Sequence, residues 1–532
     1  MKILFGALHH GYYRNLESVV EELARRGHDI YLGSERAAVF GGEAFVERLA
    51  ANYPNISQGI VPTREPESLF LASKVRLGLD YLRYLEPMYA GSSGLRPRAQ
   101  VRTPTGIVRL SRSPLMALSP ARRAVGRALD AIDRAVPPSP AIERFLDDMQ
   151  PELVIVTPLI GLVASSQIDL LRSAIARGLP TAVFVWSWDH LSSKAIIRDD
   201  VDGLFVWNDA QKREAVEMHG VPPSRIVVTG AQCYDHWFAR AASRSRAEFV
   251  KDAGLPDERP YILWACSALL PGSPPEPEVV MEWAAHLRQS SDPRVRDAAI
   301  LIRPHPSRVS DWEGVDWRQC GHVAMFGAAP IDEQARADYF DSLHYSAAVV
   351  GITTSAFIEA AVLGRPVMTY FREDLQQEHE GSLHFQHLRD PRDGLLVTAH
   401  SLDEHGRQLS AIIDGPPPDV VNRIAGFVRA FVRPHGLDVP ATALAVDALE
   451  RLPSRRAASA ARRPSALGRA GLSCVAALER SHRWRSLLLD EREAETHARQ
   501  EGKERLKEQA LQRKKKLRAE KARRTVRNPR RA

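Results

Sequence analysis

Short apolar runs alternate with amphipathic helical stretches along most of this chain. Residues 2–8 are an apolar strand candidate, and apolar side chains within 16–23 then recur at the spacing of a helix with one buried face. Gly27 stands where such a helix would end, and residues 28–33 resume as a strand. This strand–helix–strand opening predicts a parallel sheet with helices on both faces.

The same alternation continues in two consecutive series. Further strands are predicted at 152–158, 180–186, 202–208, 225–230, 261–267, 298–306, 347–352 and 365–371. Residues of about 65–150 break the alternation, and we interpret them as a helical and loop insertion. The pattern predicts an α/β protein with two Rossmann-like doubly wound domains that face a cleft, an N-terminal domain over 1–240 and a C-terminal domain over 241–450.

The composition changes after residue 450, and residues 451–532 are predicted to be an Arg/Ala-rich linker and a basic charged tail, helical or disordered. Residues 501–532 hold 14 Lys/Arg and 4 Asp/Glu, a local charge of +10. Subtracting it from the net charge of +7 leaves −3 for the rest. The body is therefore mildly acidic, and no specific nucleic-acid partner is predicted. For the tail, an anionic membrane surface is one hypothesis and a solubilising role is the alternative.

Cysteine usage and hydropathy bear on the compartment. The four cysteines are far apart and form no CxxC pair, which favours a reducing environment and argues against a disulfide framework. No metal site is predicted, since the histidines near residue 380 lack a suitably spaced carboxylate. The first apolar run is too short for a signal peptide, and no run reaches about 20 residues. We expect a cytoplasmic protein, with peripheral attachment to the inner membrane face as a further hypothesis.

The stretch AVVGITTSAFIEAAVLGRPVMTYF, residues 348–371, carries the clearest candidate site. Thr353, Thr354 and Ser355 stand where a helix begins after a buried strand, and backbone N–H groups with hydroxyls at such a point suit a phosphate. Glu359 lies one turn further on the same face, where a carboxylate suits the vicinal hydroxyls of a ribose. The alternative is that these residues only cap the helix.

Two other predicted strands end in candidate binding residues. Arg303 and His305 close one strand in the sequence RPHP, and Gly230 closes another in a Thr-Gly turn. Ligands of parallel sheets bind beyond the carboxyl ends of the strands. These loops are therefore predicted to lie close to Thr353, Thr354 and Ser355, which we call the hydroxyl-rich loop. For Arg303 and His305 the alternative is a rigid turn with a surface histidine.

Together the segments VWN…MHGVPPSRIVVTG, RPHP and AAVVGITTSAFIEAAVLGRPV resemble the nucleotide-sugar half of GT-B-fold glycosyltransferases. Within that fold they are most similar to the bacterial surface-polysaccharide and glycerophosphotransferase-like branch, and WSWDHLSSK is similar to a segment of its N-terminal domain. The resemblance covers about residues 1–440 without the insertion. It implies that the N-terminal domain gathers a glycan or lipid-linked acceptor and that the C-terminal domain binds the donor.

The resemblance also implies roles for individual residues. Ser355 and Thr354 would contact the pyrophosphate of a nucleotide-diphosphate sugar, Glu359 the ribose, and Arg303 or His305 the phosphate or sugar. The donor is the only small molecule implied, and no further cofactor is expected. His384 is a candidate near the donor sugar.

The stereochemistry and the catalytic base are less directly indicated. Many retaining members of the fold carry two glutamates separated by seven residues, whereas Gly351 and Val367 flank Glu359 at the corresponding distance, which favours inversion. An inverting transfer needs a general base, and His10 and Asp189 are the candidates, each following a predicted strand. The alternatives are a solvated loop histidine and a helix-capping aspartate.

Three other functions share this architecture. A nucleotide-sugar 2-epimerase would need acid and base residues around the sugar C2, and the N-terminal half shows no convincing set of carboxylates. A glycerol- or sugar-phosphate transferase would use the same cleft with another leaving group. A non-catalytic GT-B-like scaffold would bind a nucleotide or partner without turnover.

Overall fold

The computed structural model describes residues 1–36, 41–159, 164–256, 259–270, 272–379, 381–390, 392–452, 464–481 and 484–493. Within these ranges the strands form two entirely parallel sheets. The strands of the first sheet are β1 Lys2–His9, β2 Asp29–Arg36, β3 Ile56–Ile60, β4 Leu153–Val156, β5 Thr181–Phe184, β6 Gly203–Val206 and β7 Ile226–Val228. Those of the second are β8 Tyr261–Ala265, β9 Ala299–Arg303, β10 Val323–Met325, β11 Ala348–Val350, β12 Val367–Tyr370 and β13 Val397–Ala399.

Helices cover both faces of the sheets. In the first half they are α1 Glu17–Arg25, α2 Gly42–Asn52, α3 Pro66–Leu82, α4 Leu95–Gln100, α5 Thr105–Ser111, α6 Ser119–Arg134, α7 Pro140–Met149, α8 Gln167–Ala176, α9 His190–Ser193, α10 Asp209–His219, α11 Asp235–Ala239 and α12 Arg246–Asp252. The later helices are α13 Glu276–Leu287, α14 Pro293–Arg296, α15 Glu333–His344, α16 Ala356–Val362, α17 Phe385–Arg389, α18 Leu402–Ile412, α19 Pro418–Phe427, α20 Ala441–Glu450 and α21 Ala466–Arg480.

The strand order defines the fold. The first sheet runs β3-β2-β1-β4-β5-β6-β7 and the second β10-β9-β8-β11-β12-β13. In each sheet the order reverses between the first strand and the fourth, which is the point where doubly wound sheets open a crevice for a ligand. Two Rossmann-like doubly wound domains, the predicted fold class, are therefore confirmed.

All ten predicted strands are present, and the three that the sequence pattern missed lie at sheet edges. β3, β10 and β13 each end a sheet. An edge strand is buried less completely, so its sequence need not be a continuous apolar run. β3 reads ISQGI, and its last residue, Ile60, is exposed.

Buried ion pairs attach the insertion to the first domain. Arg76 of α3 contacts Asp133 of α6 at 2.8 Å and Asp169 of α8 at 2.7 Å, and all three side chains are buried. Arg64 also pairs with Asp169 at 2.8 Å. The insertion proper is α3 to α6, because α7, which the predicted range 65–150 includes, packs through Ile142 and Leu146 into the core of the first sheet.

The C-terminal part of the chain departs from the predicted division. Helix α20 lies in the range assigned to the C-terminal domain, yet Ala445, Val446 and Leu449 are buried in the core of the first sheet beside α1. The apolar face of α20 is buried there because the chain crosses back between the domains after α19. Sequence range alone could not show this crossing.

Helix α21 corrects the prediction of a linker. It lies in the range 451–532, and it packs against α6 of the insertion. Gly468 makes the approach close, since a Cβ there would stand 2.2 Å from the carbonyl oxygen of Ala131. The basic tail, 501–532, lies outside the described residues. In the described part of the chain, no helix combines the length and the apolar character needed to cross a membrane.

Candidate functional site

A cavity of about 520 Å³ lies where the carboxyl ends of the two sheets face each other. The first domain contributes the segments after β1 and β5, and the second domain contributes those after β8 to β12. Eight of the ten predicted site residues line it: Asp189, Arg303, His305, Thr353, Thr354, Ser355, Glu359 and His384. A second cavity of about 240 Å³ adjoins it and shares residues such as Ser355 and Glu359.

The hydroxyl-rich loop, Thr353 to Ser355, follows β11 and lies at the switch point of the second sheet, beside the loop after β8. The backbone N–H of Thr353 donates to the hydroxyl of Ser267 at 3.1 Å, which ties the loop after β11 to the loop after β8. Ser355 precedes the first residue of α16 and is exposed to the cavity, but its side chain makes no capping hydrogen bond. Of the predicted capping alternative, a bond of Ser355 is not formed, but the Thr354 hydroxyl accepts a hydrogen bond from the N–H of Ala356 at 3.3 Å, at the first residue of α16.

Glu359 interacts with a tyrosine instead of the helix start. The hydroxyl of Tyr339, on α15, donates a hydrogen bond to its carboxylate. Burial raises the pKa of Glu359 to about 7, and the Tyr339 hydrogen bond and the charge of Arg303 act in the opposite direction. Near neutral pH this carboxyl group is therefore partly ionised, and it lines the cavity where a pair of ligand hydroxyls would reach it.

Arg303 is held at the end of β9 with little freedom. Its guanidinium stacks on the Tyr339 ring at 4.5 Å from the centroid, and Nη2 donates to the carbonyl oxygen of Ala328 at 2.9 Å. Nη1 has no hydrogen-bond partner among the described residues. Gly327 makes room for it, because a Cβ at this position of positive φ would stand 1.9 Å from Nη1. Nη1 is thus a buried nitrogen without a partner in the described part of the chain, and a ligand could reach its N–H groups only if the side chain or Gly327 shifted.

Asp189 sits on the first-domain side of the cavity in a dense set of partners. It accepts hydrogen bonds from Lys194 at 2.8 Å, from the Ser193 hydroxyl at 2.8 Å and from the Ser187 hydroxyl. Burial alone would raise the pKa of Asp189, but Lys194 and these donors hold it well below its usual range. An ionised carboxylate of low basicity is a weak proton acceptor while this ion pair lasts.

Two neutral histidines also line the cavity. Burial lowers the pKa of His384 to about 4, and its Nδ1 lies 3.0 Å from the Ser192 hydroxyl of the first domain. Burial also lowers the pKa of His305, whose Nδ1 lies 2.9 Å from the Ser307 hydroxyl. The contact of His384 with Ser192 links the second domain to the first. His305 presents a neutral imidazole at the carboxyl end of β9.

The structure does not bring two predicted residues to the cavity. The imidazole of His10 is buried, with Nε2 3.2 Å from the carbonyl oxygen of Leu32, so the ring faces its own sheet. Gly230 has a φ of 94°, and a Cβ there would stand 2.9 Å from that of Ala441. The positive φ and the missing side chain of Gly230 allow the segment before α20 to pass close by, and the glycine does not form part of a phosphate-binding turn at the cavity.

Several cavity residues were missed by sequence reasoning. Arg14 follows β1, Trp186 and Trp188 follow β5, and Tyr339 comes from the middle of α15. The two tryptophans stand in the WSWDH segment, so a signal for them existed. Tyr339 lies 20 residues before Glu359, and no local pattern connects the two.

The site combines hydroxyls, a buried arginine, a carboxyl of raised pKa and aromatic rings. Such a set suits a ligand that bears anionic and vicinal hydroxyl groups. Within the described residues, no group of three His, Cys, Asp or Glu side chains is arranged to hold a metal ion.

The fold and the site define a protein of two Rossmann-like domains with a polar cavity between their sheet ends. No protein-family model matches the chain, and no curated protein sequence matches it. Similar solved structures include a glycosyltransferase from Rickettsia africae, with 10% identity, a TM-score of 0.48, and 85% of this chain and 98% of that one covered. Another is the UDP-GlcNAc 2-epimerase of Neisseria meningitidis, with 11% identity, a TM-score of 0.47, and 85% and 100% covered. These likenesses concern the fold and leave the activity open.

Proposed function

We propose that the chain is a glycosyltransferase that moves a sugar from a nucleotide-diphosphate donor to a surface-glycan or lipid-linked acceptor, with inversion. One observation carries the proposal: Arg303, the hydroxyl-rich loop and Glu359 meet in one cavity at the switch point of the second sheet. This arrangement supplies donors for a diphosphate and an acceptor for ribose hydroxyls.

In this proposal the two domains hold different substrates. Arg303, Thr354 and Ser355 bind the diphosphate and stabilise the charge that develops as the nucleotide leaves. Asp189 lies on the opposite wall, where an acceptor hydroxyl would enter. For Asp189 to take the proton, its ion pair with Lys194 has to loosen on substrate binding, which raises its basicity.

The first test is a calorimetric titration of UDP, CDP, GDP, ADP and dTDP into wild type, Glu359→Ala and a control, Glu278→Ala. Glu278 is exposed on α13 and does not line the cavity. We expect one nucleotide to bind, and Glu359→Ala to weaken it about 10- to 100-fold, since hydrogen bonds to a charged group contribute about 1.5–3 kcal/mol. Absence of binding by every nucleotide would overturn the proposal.

The pH dependence gives a second readout of the same residue. With a pKa of about 7, Glu359 loses its charge as the pH falls from 8 to 6. If the ionised form holds the ribose, affinity falls toward low pH by up to about tenfold per pH unit. Glu359→Gln should flatten this dependence, whereas Glu278→Gln should leave it unchanged.

Turnover separates transfer from the related reactions. The bound nucleotide's sugar conjugate is incubated with and without candidate glycan acceptors, and products are followed by mass spectrometry and NMR. Acceptor-dependent release of the nucleotide diphosphate is expected. An epimerised sugar nucleotide formed without acceptor would instead assign the cavity to a 2-epimerase.

A further inference from the structure

The insertion contains a long stretch of positive charge without acidic residues. Residues 87–129 include eight arginines and no Asp or Glu. Arg109, Arg112, Arg123 and Arg127 are exposed and form no ion pair with any described residue. This charge differs from that of the body of the chain, which is mildly acidic.

Exposed apolar side chains lie among these arginines. The described chain has ten exposed large hydrophobic side chains, and six belong to the insertion or to the C-terminal segment packed on it. Leu115 and Leu118 are 65% and 58% exposed. The other four are Met88, Leu110, Leu467 and Trp484. Scattered exposed apolar side chains are ordinary, but the presence of four of the ten within this one arginine-rich stretch is not.

Hydrogen bonds hold these side chains in two groups on the insertion, which adjoin along the chain between Leu110 and Met116. Arg122 pairs with Glu86 and donates to the carbonyl oxygens of Met116 and Ala117, which places Met88 beside the turn that carries Leu115. The N–H of Thr105 donates to Leu489 at 2.9 Å, so the segment after Trp484 lies on α5. We call residues 87–129 with 484–489 the insertion surface.

We propose that the insertion surface docks on an anionic lipid bilayer. Leucine and tryptophan side chains enter the interface between headgroups and acyl chains, while arginines pair with lipid phosphates. The end of the described chain adds to this complementarity. Glu493, at the end of the described residues, is held at the insertion by an ion pair with Lys74 of α3, and the sequence after it carries a local charge of +10 over 501–532.

Lipid explains the surface better than nucleic acid does. Arginines alone would suit either polyanion, but exposed leucines gain nothing from a phosphate backbone. Base stacking needs aromatic rings, and the exposed large hydrophobic side chains of this surface include a single one, Trp484. Replacement of the leucines should therefore weaken binding to lipid strongly and binding to nucleic acid little.

Docking in this way brings the cavity close to the membrane. Leu95 and Arg98 belong to the same arginine-rich stretch and line the cavity between the domains. The N–H of Gly94 donates to the carbonyl oxygen of Gly381, so the insertion also contacts the second domain beside the cavity. Resting on the proposed function, this placement makes a lipid-linked acceptor the substrate class that reaches the site directly.

The test is flotation of the full chain with vesicles of phosphatidylcholine alone or with about one third phosphatidylglycerol. We expect wild type to float with the anionic vesicles only, and to be released by high salt. Leu115→Ser/Leu118→Ser should bind about tenfold more weakly, and Arg123→Gln/Arg127→Gln about fivefold more weakly for each charge removed. Val309→Ser/Val421→Ser and Arg407→Gln/Arg429→Gln, exposed positions of the second domain, are the matched controls and should bind like wild type.

Three results would overturn the proposal. One is wild-type-like flotation of the leucine and arginine variants, with loss only in a tail variant such as Arg513→Gln/Lys514→Gln/Lys515→Gln/Lys516→Gln. Another is absence of flotation for wild type. The third is tight binding of a single-stranded oligonucleotide that the leucine variant retains, with no vesicle binding. Circular dichroism checks that each variant folds, and nucleotide titration of the same variants reports on the proposed function separately.

Discussion

Glu359, Tyr339 and Arg303 set the charge of the cavity together. The phenol hydrogen-bonds the carboxylate while its ring stacks under the guanidinium, so one side chain orients both ionisable groups. Because burial raises the pKa of Glu359 to about 7, a ligand that supplies hydroxyl donors favours the ionised form. Ligand binding near neutral pH should therefore change the charge of Glu359.

Glu276 is a second carboxyl group of raised pKa, buried behind the cavity. It accepts hydrogen bonds from the N–H of Ser267 at 2.8 Å and from the indole of Trp264 at 3.1 Å. Ser267 in turn accepts from Thr353, so the carboxyl group supports the hydroxyl-rich loop. Burial raises the pKa of Glu276 to about 8 despite these donors.

This environment predicts a pH-dependent stability. A raised pKa means that the folded state favours the protonated acid. The contribution of Glu276 to the unfolding free energy is therefore at its full value below the ordinary pKa of 4.5. It decreases as the pH rises above that value, and the loss is complete once the pH has passed about 8. At about 1.4 kcal/mol per pH unit, wild type should lose several kcal/mol of unfolding free energy relative to Glu276→Gln between pH 5 and 8. Urea denaturation across this range measures it, with Glu278→Gln as control. Parallel curves for Glu276→Gln and wild type would contradict the assignment.

At the scale of elements, helix α21 shows how a small residue makes a contact that a composition-based view misses. The helix begins within the stretch 454–471, which is rich in Ala, Arg and Ser and resembles a linker. Gly468 and Gly471 allow its backbone to lie against α6, where a Cβ at Gly471 would stand 2.5 Å from the Ile132 side chain. The same contact links the C-terminal part of the chain to the insertion.

Gly468→Ala should therefore separate α21 from α6. The added methyl group would meet the backbone oxygen of Ala131, which cannot move aside, so we expect a destabilisation of about 1–3 kcal/mol. Hydrogen exchange of residues 466–480 should become faster. Gly126→Ala on α6 is the control, because nothing lies within 4 Å of its added Cβ and helix propensity should improve by up to about 1 kcal/mol. Unchanged exchange in Gly468→Ala would contradict the contact.

At the scale of the whole molecule, the chain crosses between the domains more than once. It passes from the first sheet to the second before β8 and returns in α20, which buries Ala445, Val446 and Leu449 beside α1. Near this crossing, Asp235 pairs with Arg433 and accepts from the N–H of Thr442. The cavity thus lies between two domains that share part of their structure.

Leu449→Ala tests whether α20 stabilises the first domain. The side chain is fully buried, and truncation of such a leucine costs about 2–5 kcal/mol through lost burial and the cavity left behind. Guanidinium denaturation followed by intrinsic fluorescence should show this loss. Val421→Ala, an exposed position on α19, should change the unfolding free energy by less than about 0.5 kcal/mol. A loss no larger in Leu449→Ala would place α20 outside the core.

The sequence by itself determined the fold class and pointed to eight of the residues that line the cavity. Ten strands were readable because most of them are covered on both faces, and such parallel strands are continuous apolar runs. The residues after those strands were readable as a group because parallel sheets present their carboxyl ends on one side. Thr353, Thr354, Ser355, Arg303 and His305 were found in this way, and they lie together in the structure.

Only the tertiary structure decided which side chains meet across elements. Contacts between residues distant in sequence decide four features: the edge strands, the Tyr339–Glu359 hydrogen bond, the burial of the His10 ring against its own sheet, and the packing of α20 on the first domain. Local periodicity records how much of a side chain is buried and on which face, but not its partner. The partner, the pKa that it imposes and the path of the chain between domains follow from packing, and packing is a property of the whole fold.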